Sequence, residues 1–375
     1  MVPVRGRLAL DRFIRLPSRL QAADPAWVPP LRMERRDALS REKNPYFEHA
    51  EAAYWIARRD GRDVGRISAQ EDRLAPPDAD GTRPGHFGLL AAEDDPAVLR
   101  ALLDTAENWL RARGLRRVLG PFSLSINEET GLLVDGFDTP PMLMMPHDAP
   151  HLGPRLEALG YAKARDVLAY RFDPREELPR GARAALARGV PAGVVLRPLR
   201  LAEYRGEIGR IVAIFNDAWS GNWGFTPLTA AELDHMATQM RPLIHERLVW
   251  IAEVHGEAAA FIVCLPNLNE AIRDLGGRLL PFGWARLLWR LRWRLPRTAR
   301  VPLMGVRRAH ASGVLGAMLP FLLIEALRRE AALRGLHAVE LSWILEDNAP
   351  MRRMIEALGA QAYKTYRIYE KALVP

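Results

Sequence analysis

The feature that most constrains this chain is that it repeats itself. "YWIARRDGRDVGRISA" (54–69) aligns with "VWIAEVHGEAAAFIVC" (249–264) at one offset, matching Trp55 with Trp250, Ile56 with Ile251, Ala57 with Ala252 and Gly61 with Gly256. Each copy sets two short apolar runs around an Asp-Gly or His-Gly pair, the pattern of a tight β-hairpin. "APHLGPRLEALGYAKARDVLAYRF" (149–172) echoes "APMRRMIEALGAQAYKTYRIYEK" (349–371), a short helix closed by Gly160 or Gly359 and then strand. "ENWLRARGLRRVLGPF" (107–122) echoes "EAALRGLHAVELSWI" (330–344), a helix end, a glycine and a buried strand. Echoes that recur in the same order imply two copies of one unit: hairpin, strand, long helix, strand, short helix, closing strands. The fold class is therefore α/β, of the α+β kind with mixed sheets, in two tandem domains. Their expected bounds are 1–175 and 190–375, joined through the charged, Gly- and Pro-rich "DPREELPRGARAALARGVPAG" (173–193). The second copy adds two helices in front, 202–219 and 229–244, the latter with Thr229 as N-cap and Glu232 three residues on.

Charge and cysteine content narrow the function. The chain of 375 residues holds 53 Lys and Arg against 45 Asp and Glu, a formal charge of +8 carried mostly by arginine. That balance favours anionic partners without choosing among nucleic acid, acidic lipid and a phosphate-rich co-substrate. The single cysteine, Cys264, excludes an internal disulfide and a thiolate metal cluster, and no metal is expected. The N-terminal "MVPVRGRLALDRFIRLPSRL" lacks the apolar core of a signal peptide. The longest apolar run, 314–326, is interrupted by Pro320 and falls short of the roughly 18–20 residues that cross a bilayer. A soluble or peripheral cytoplasmic protein is expected.

Candidate chemistry falls in a few places. "VPLMGVRRAHASGVLGAMLP" (301–320) reads as a strand leading through an Arg/Gly loop into a long helix. Free N–H groups at a helix start, with glycines that admit close approach, form an anion site. The residues are Val306, Arg307, Arg308, Ser312, Gly313, Val314, Gly316 and Ala317. Taken alone, Gly313 and Gly316 serve a tight turn equally well. Pro320 inside the helix implies a late start or a kink. The counterpart in the first copy, "GHFGLLAAEDDPAVL" (85–99), carries Glu93, Asp94 and Asp95, which repel an anion.

"GPFSLSINEETGLLVDGFDTPPMLMMPHDAP" (120–150) sets Asn127, Glu128, Glu129, His147 and Asp148 among apolar residues. A glutamate or histidine at a strand end can take a proton from an amine. The alternative is that Glu128 and Glu129 cap a helix or face solvent, and that Asp148 N-caps the next helix. "FNDAWSGNWGFTPLT" (215–229) offers Trp219, Asn222 and Trp223 either to an acceptor pocket or to loop packing.

"GWARLLWRLRWRLP" (283–296) concentrates Trp284, Trp289 and Trp293 with Arg286, Arg290, Arg292 and Arg294, within an insertion expected at about 266–300. As a helix it places Trp284, Leu287, Leu288, Leu291 and Leu295 on one side, and Arg286, Arg290 and Arg294 across from them. With period two, "RLRWRL" fits an edge strand as well. Arginine over a Trp/Leu face suits an anionic membrane surface. The stretch lacks lysine and no recognised nucleic-acid motif accompanies it, which sets nucleic acid aside as a partner.

The order of elements, with 301–320, "HAVELSWI" (337–344) and "EDNAPMRRMIEALGA" (346–360), resembles the GNAT acyltransferase superfamily across both halves. That resemblance implies a coenzyme A pyrophosphate at the 307–317 loop of the second copy, with Asn348 leading the following helix. "RRAHASGVLGA" only approximates the superfamily's phosphate loop. Its tyrosine-acid position is Ile355 here and Leu156 in the first copy, so no tyrosine acid is expected there. The strings "DPAWVPPLRMERRDALSREKNPYFEHAEAAYWIARRDGRDVGRI" (24–67), "GPFSLSINEETGLL", "NDAWSGNWGF" and "LPFGWARLLWRLRW" narrow the match. Together they are similar to a bacterial family of tandem GNAT-like ceramide synthases. Membership implies transfer of a fatty acyl group from acyl-CoA to the amine of a sphingoid long-chain base, peripheral on the inner membrane. In that reading Asn127, Glu128, Glu129 and His147 serve catalysis, and Trp219, Asn222, Trp223, Trp284 and Trp289 line the lipid amine. Alternatives are a tRNA-dependent aminoacyl transferase and a non-catalytic lipid-binding protein on the same fold.

Overall fold

The computed structural model describes residues 1–78, 81–294 and 296–373. The described chain divides into two compact units. Unit 1 is Met1–Val167, Ile272–Trp289 and Lys364–Pro375; unit 2 is Leu168–Ala271 and Arg290–Tyr363.

In unit 1, strands β1 (Ala50–Arg59) and β2 (Arg62–Asp72) form the expected hairpin. Asp60 and Gly61 at its tip both take positive φ, 48° and 77°, the turn geometry that matches strand twist. β2 pairs antiparallel with β3 (Gly85–Ala92), and β3 meets β4 (Arg117–Gly120) in parallel. Helix α1 (Pro96–Arg111) connects β3 to β4. Its side chains at Leu99, Leu102, Leu103, Ala106 and Leu110 repeat at helical spacing and are buried in one cluster with Ile67, Phe87 and Val118. The C-terminal strand, Gln361–Ala372, supplies unit 1 from Lys364 onward and pairs antiparallel with β4 and with Leu132–Asp135.

In unit 2, helices α2 (Tyr204–Trp219) and α3 (Ala230–Met240) precede the hairpin. The capping box at α3 forms as read: Glu232 N–H donates to Thr229 Oγ1 at 3.2 Å, and Thr229 N–H donates to Glu232 Oε2 at 2.9 Å. The second hairpin, β5 (Val249–Val254) and β6 (Glu257–Pro266), turns on His255 and Gly256 at φ 51° and 87°. Helix α4 (Gly283–Trp293) begins within unit 1 and ends within unit 2. Then β7 (Thr298–Val306) joins β6, and α5 (Gly313–Leu333) leads to β8 (Ala338–Leu345) and α6 (Ala349–Ala357). Leu319, Leu323 and Leu327 of α5 are buried with Ile262, Val301 and Val339.

The two copies share a distortion. In unit 2, β7 pairs with Leu265 at Arg300 and with Val263 at Leu303, so one extra residue bulges out near Val301–Pro302. Pro302 has no N–H for a ladder, and the parallel pairing of β7 with β8 ends at Val301↔Leu341. In unit 1 the same one-residue excess falls at Leu89–Leu90 of β3, with Leu89 at φ 47°, and the β3–β4 pairing ends at His86↔Leu119. There the likeness stops, because unit 1 covers its parting with its own chain. Phe122 N–H donates to Phe87 O at 2.9 Å, and Gln70 Nε2 donates to the carbonyls of Phe122 and Leu124 at 2.9 and 3.2 Å. Leu124 is fully buried, and a Cβ at Gly88 would overlap the Phe122 carbonyl.

Several local expectations change. The Trp/Arg stretch is a helix, not an edge strand. Its inner side is Leu287, Arg290 and Leu291, whereas Trp284, Leu288, Trp289 and Trp293 are exposed; Leu295 lies outside the described residues. α5 does not start late: it runs from Gly313 with Pro320 buried inside it. The helix after Asp148 begins at Leu152 with His151 as N-cap, so Asp148 caps nothing there. Glu128 and Glu129 lie in a turn rather than at a helix start. In unit 1 the acidic segment is only Glu93–Asp95, and Asp95 caps α1 by accepting from Ala97 and Val98 N–H at 2.8 and 3.4 Å.

Candidate active site

Unit 2 presents an opening edged by its loop. β7 continues to Val306, still paired with Ala260, while β8 has turned away. Arg307 N–H donates to Ala259 O at 2.8 Å, and Arg308 N–H to Asp217 Oδ2 at 2.7 Å, pinning the loop to β6 and α2. A single turn of 3-10 helix, Arg308–His310, follows, and α5 starts at Gly313 with φ 68°. Gly316 is buried, and a Cβ there would strike the backbone of His310 and Ala311, so the first turn of α5 folds flat against the loop. Arg308, Ser312, Gly313, Val314 and Ala317 are exposed, which leaves the start of a 21-residue helix open to an anion. Asn348 caps α6 instead, its Oδ1 accepting from Met351 N–H at 3.2 Å.

The loop and the "NDAWSGNWGF" segment come together. Trp219 Nε1 donates to Met304 O at 3.0 Å, on the part of β7 that β8 has left. Its ring lies 4.9 Å from Phe215 and 5.9 Å from Trp343, an aromatic wall at the opening. Asn222 is exposed and Trp223 half-buried on the turn that follows α2, where Asn222 N–H donates to Trp219 O at 2.8 Å.

One charged network at the parting escaped the reading of the sequence. Arg300 and Glu340 are register partners on β7 and β8, and both are buried. Arg300 Nε donates to Ser342 Oγ at 2.7 Å and sits 3.6 Å from Glu340. The hydroxyls of Ser342 and Tyr363 both donate to the Glu340 carboxylate. The available signal was a glutamate at an inward position of "HAVELSWI", a charge that an apolar strand buries only with partners.

Unit 1 gathers most of the other candidates. Segment 121–131 closes on itself, Ser123 N–H donating to Glu129 O at 2.9 Å and Gly131 N–H to Pro121 O at 3.0 Å. Asn127 and Glu128 lie at its tip, Asn127 N–H on Ser125 Oγ at 3.0 Å. Glu129 is held by an ion pair with Arg35 and accepts from Ser123 Oγ at 3.1 Å. His147 is buried, and its Nε2 donates to Asp24 Oδ2 at 2.8 Å. Burial holds His147 below its ordinary value, the bond to Asp24 opposing. Asp148 accepts from Leu133 N–H at 3.0 Å, and burial pushes its carboxyl up to about 7. Burial also lowers the Arg66 guanidinium to about 9, the like charge of Arg35 adding to the effect. Trp284 and Trp289 are exposed on α4.

No family model matches the chain. Individual proteins do. The chain is 53% identical to the bacterial ceramide synthase of Caulobacter vibrioides over 373 residues, covering 100% of this chain and 97% of that protein. The chain belongs to the bacterial ceramide synthase family. It is also 46% identical to protein YghO of Escherichia coli, over 97% of this chain and 93% of that one. Its fold is the tandem GNAT fold. It matches a tandem GNAT protein from the clavulanic acid biosynthesis pathway at TM-score 0.58 and 17% identity, over 100% and 98% of the two chains. It matches a GCN5-related N-acetyltransferase from Sphaerobacter thermophilus at TM-score 0.55 and 14% identity, over 100% and 96%. As a member of this family the protein is an acyltransferase. Among the described residues no helix is long and apolar enough to cross a membrane, and no three or more His, Cys, Asp or Glu are grouped to hold a metal.

Proposed function

We propose that this ceramide synthase relative transfers a fatty acyl group from acyl-CoA to the amine of a sphingoid long-chain base, in the cytoplasm at the inner membrane. The observation that carries the reading is the opening in unit 2, where β7 and β8 part beside a loop that ends on an exposed helix start. The residues fit a pyrophosphate: Gly316 admits the close turn, and Arg307 and Arg308 add charge at the N-terminus of α5. Val306 and Ala317 flank that turn, and Asn348 heads the next helix. To the lipid amine we assign Trp219, Asn222 and Trp223 beside the loop, and Trp284 and Trp289 on α4.

In the transfer the amine nitrogen bonds to the thioester carbonyl carbon, the C–S bond breaks with its electron pair leaving on the CoA thiolate, and the proton of the attacking amine goes to a base. Asn127, Glu128, Glu129 and His147 form the proton-handling group of this proposal. His147 is suited to accept, because burial keeps its imidazole neutral at pH 7 while Asp24 orients the ring.

The test is incubation of the purified protein with sphinganine or its 3-keto form and acyl-CoA of several chain lengths, with mass spectrometry for the amide. Amide formation supports the reading. Folded protein that neither makes an amide at any chain length nor binds CoA overturns it.

A further inference from the structure

Fourteen large apolar side chains are exposed on the described molecule, and six of them fall within one run of sequence: Leu280, Phe282, Trp284, Leu288, Trp289 and Trp293, each 50% to 79% exposed. On α4 the residues Trp284, Leu288, Trp289 and Trp293 spread over the exposed half of the helix, an arc of about 180° that also holds Arg292, while Leu287 and Leu291 are half-buried. A soluble helix ordinarily does the opposite. Leu280 and Phe282 extend the same exposed run just before the helix begins.

Charge sets the identity of the partner. From Gly276 to Arg297 the chain has six arginines and no acidic residue, so this stretch alone carries six of the net +8. Arg278, Arg286, Arg292, Arg294 and Arg297 are exposed beside the aromatic face. The Arg292 guanidinium lies 5.0 Å from the centre of the Trp293 ring, an arrangement that places cation and indole at one level. Inward, Arg290 Nη1 donates to Ala271 O at 2.7 Å, which ties the helix down rather than leaving it adrift.

We infer that the 280–294 segment is a docking surface for a bilayer containing anionic lipid. In this arrangement the indoles and Leu288 enter the headgroup and acyl boundary while the surrounding arginines meet lipid phosphates. Aromatic rings with one apolar and one polar edge collect at that depth. A single-stranded nucleic acid would also stack on indoles, but it gains little from Leu280, Phe282 and Leu288. The inference rests on the acyl-transfer reading only for its purpose, which is to bring the enzyme to the membrane that dissolves its amine.

The experiment is vesicle flotation of the full chain, without acyl-CoA or amine, using phosphatidylcholine vesicles with and without phosphatidylglycerol. The wild type is expected to float with phosphatidylglycerol vesicles and to release as salt rises, as partial charge-driven binding requires. The combined variant Trp284→Ala, Trp289→Ala and Trp293→Ala is expected to bind about tenfold less while melting at the wild-type temperature. Arg286→Glu with Arg292→Glu, both exposed, gives a second variant that removes charge and keeps the indoles. A wild type that stays with the bulk phase overturns the inference, as does a pair of variants that float like the wild type. Binding of an RNA homopolymer that both variants abolish, without vesicle binding, assigns the surface to nucleic acid and overturns it too. Amide synthesis in detergent micelles is measured on the same preparations. A wild type that floats with the vesicles yet makes no amide counts against the acyl-transfer reading and leaves the surface standing.

Discussion

At the scale of single residues, the candidate site depends on positions whose neighbours admit one side chain. Gly316 is one, since a Cβ would meet the backbone of His310 and Ala311. Gly316→Ala is expected to raise the dissociation constant for CoA at least about tenfold, equivalent to about 1.4 kcal/mol, with an unchanged circular dichroism spectrum; titration calorimetry measures it. Glu340 is another. Glu340→Gln leaves buried Arg300 without its anionic partner and is expected to cost about 3–5 kcal/mol in urea unfolding. Asp148 gives a pH signature. Its carboxyl is raised from 3.8 to about 7, so between those values the folded state holds a proton that the unfolded state has lost. Stability from this group is therefore present below about pH 4 and falls as pH rises toward 7. Asp148→Asn keeps an acceptor for Leu133 N–H and is expected to flatten that fall, by roughly 2–4 °C in Tm at pH 8 for each kcal/mol regained. The turn at Gly313 and Gly316 into α5 was legible in the sequence because glycine spacing before a helix is a local signal. Asp148 was misread for the same reason: a local capping rule pointed to the next helix, whereas its partner, Leu133, lies fifteen residues back on another strand.

At the scale of elements, the periodic segments were the readable ones. Both hairpins, the capping box of α3 and the long helices of each copy follow from turn residues and apolar spacing. Helix α4 was readable as amphipathic but not in its orientation. Leu287 and Leu291 and the triad of tryptophans are all apolar, and only packing decides which side turns in. The bulge in β7 was present in the sequence as Pro302 within "RVPLMGV", but a proline in a strand does not say which neighbouring ladder it ends. That position carries a prediction. Pro302→Val restores an N–H and the freedom of φ, and is expected to extend pairing with β8 past Val301, narrowing the opening. Weaker CoA binding together with equal or higher Tm is the expected result, read by calorimetry and thermal melting. Unchanged binding would show that the parting does not depend on the proline.

At the scale of the whole molecule, the repeat announced two copies but not their different fates. The acidic Glu93–Asp95 segment hinted that the first copy holds no phosphate, and the structure adds a stronger reason in the backbone of Phe122–Leu124. CoA is therefore expected to bind at one equivalent per chain, and calorimetry that fits two would refute the assignment to unit 2. The domain bounds were harder to see, because strand Gln361–Ala372 completes unit 1 from the far end of the sequence. A fragment ending at residue 175 lacks that strand and leaves β4 and Leu132–Asp135 as bare edges. It is expected to aggregate on expression, as light scattering would record.

The segment that covers the parting in unit 1 can also be described as a ligand. It is tethered to its own receptor a few residues from the strand end, so its effective concentration is on the order of millimolar or more, as for short tethers. A diffusing molecule must displace this neighbour before it can occupy the parting. Weakening its grip, through Gln70→Ala and the loss of two carbonyl contacts, is then the direct way to ask whether the first copy ever kept a taste for a ligand of its own.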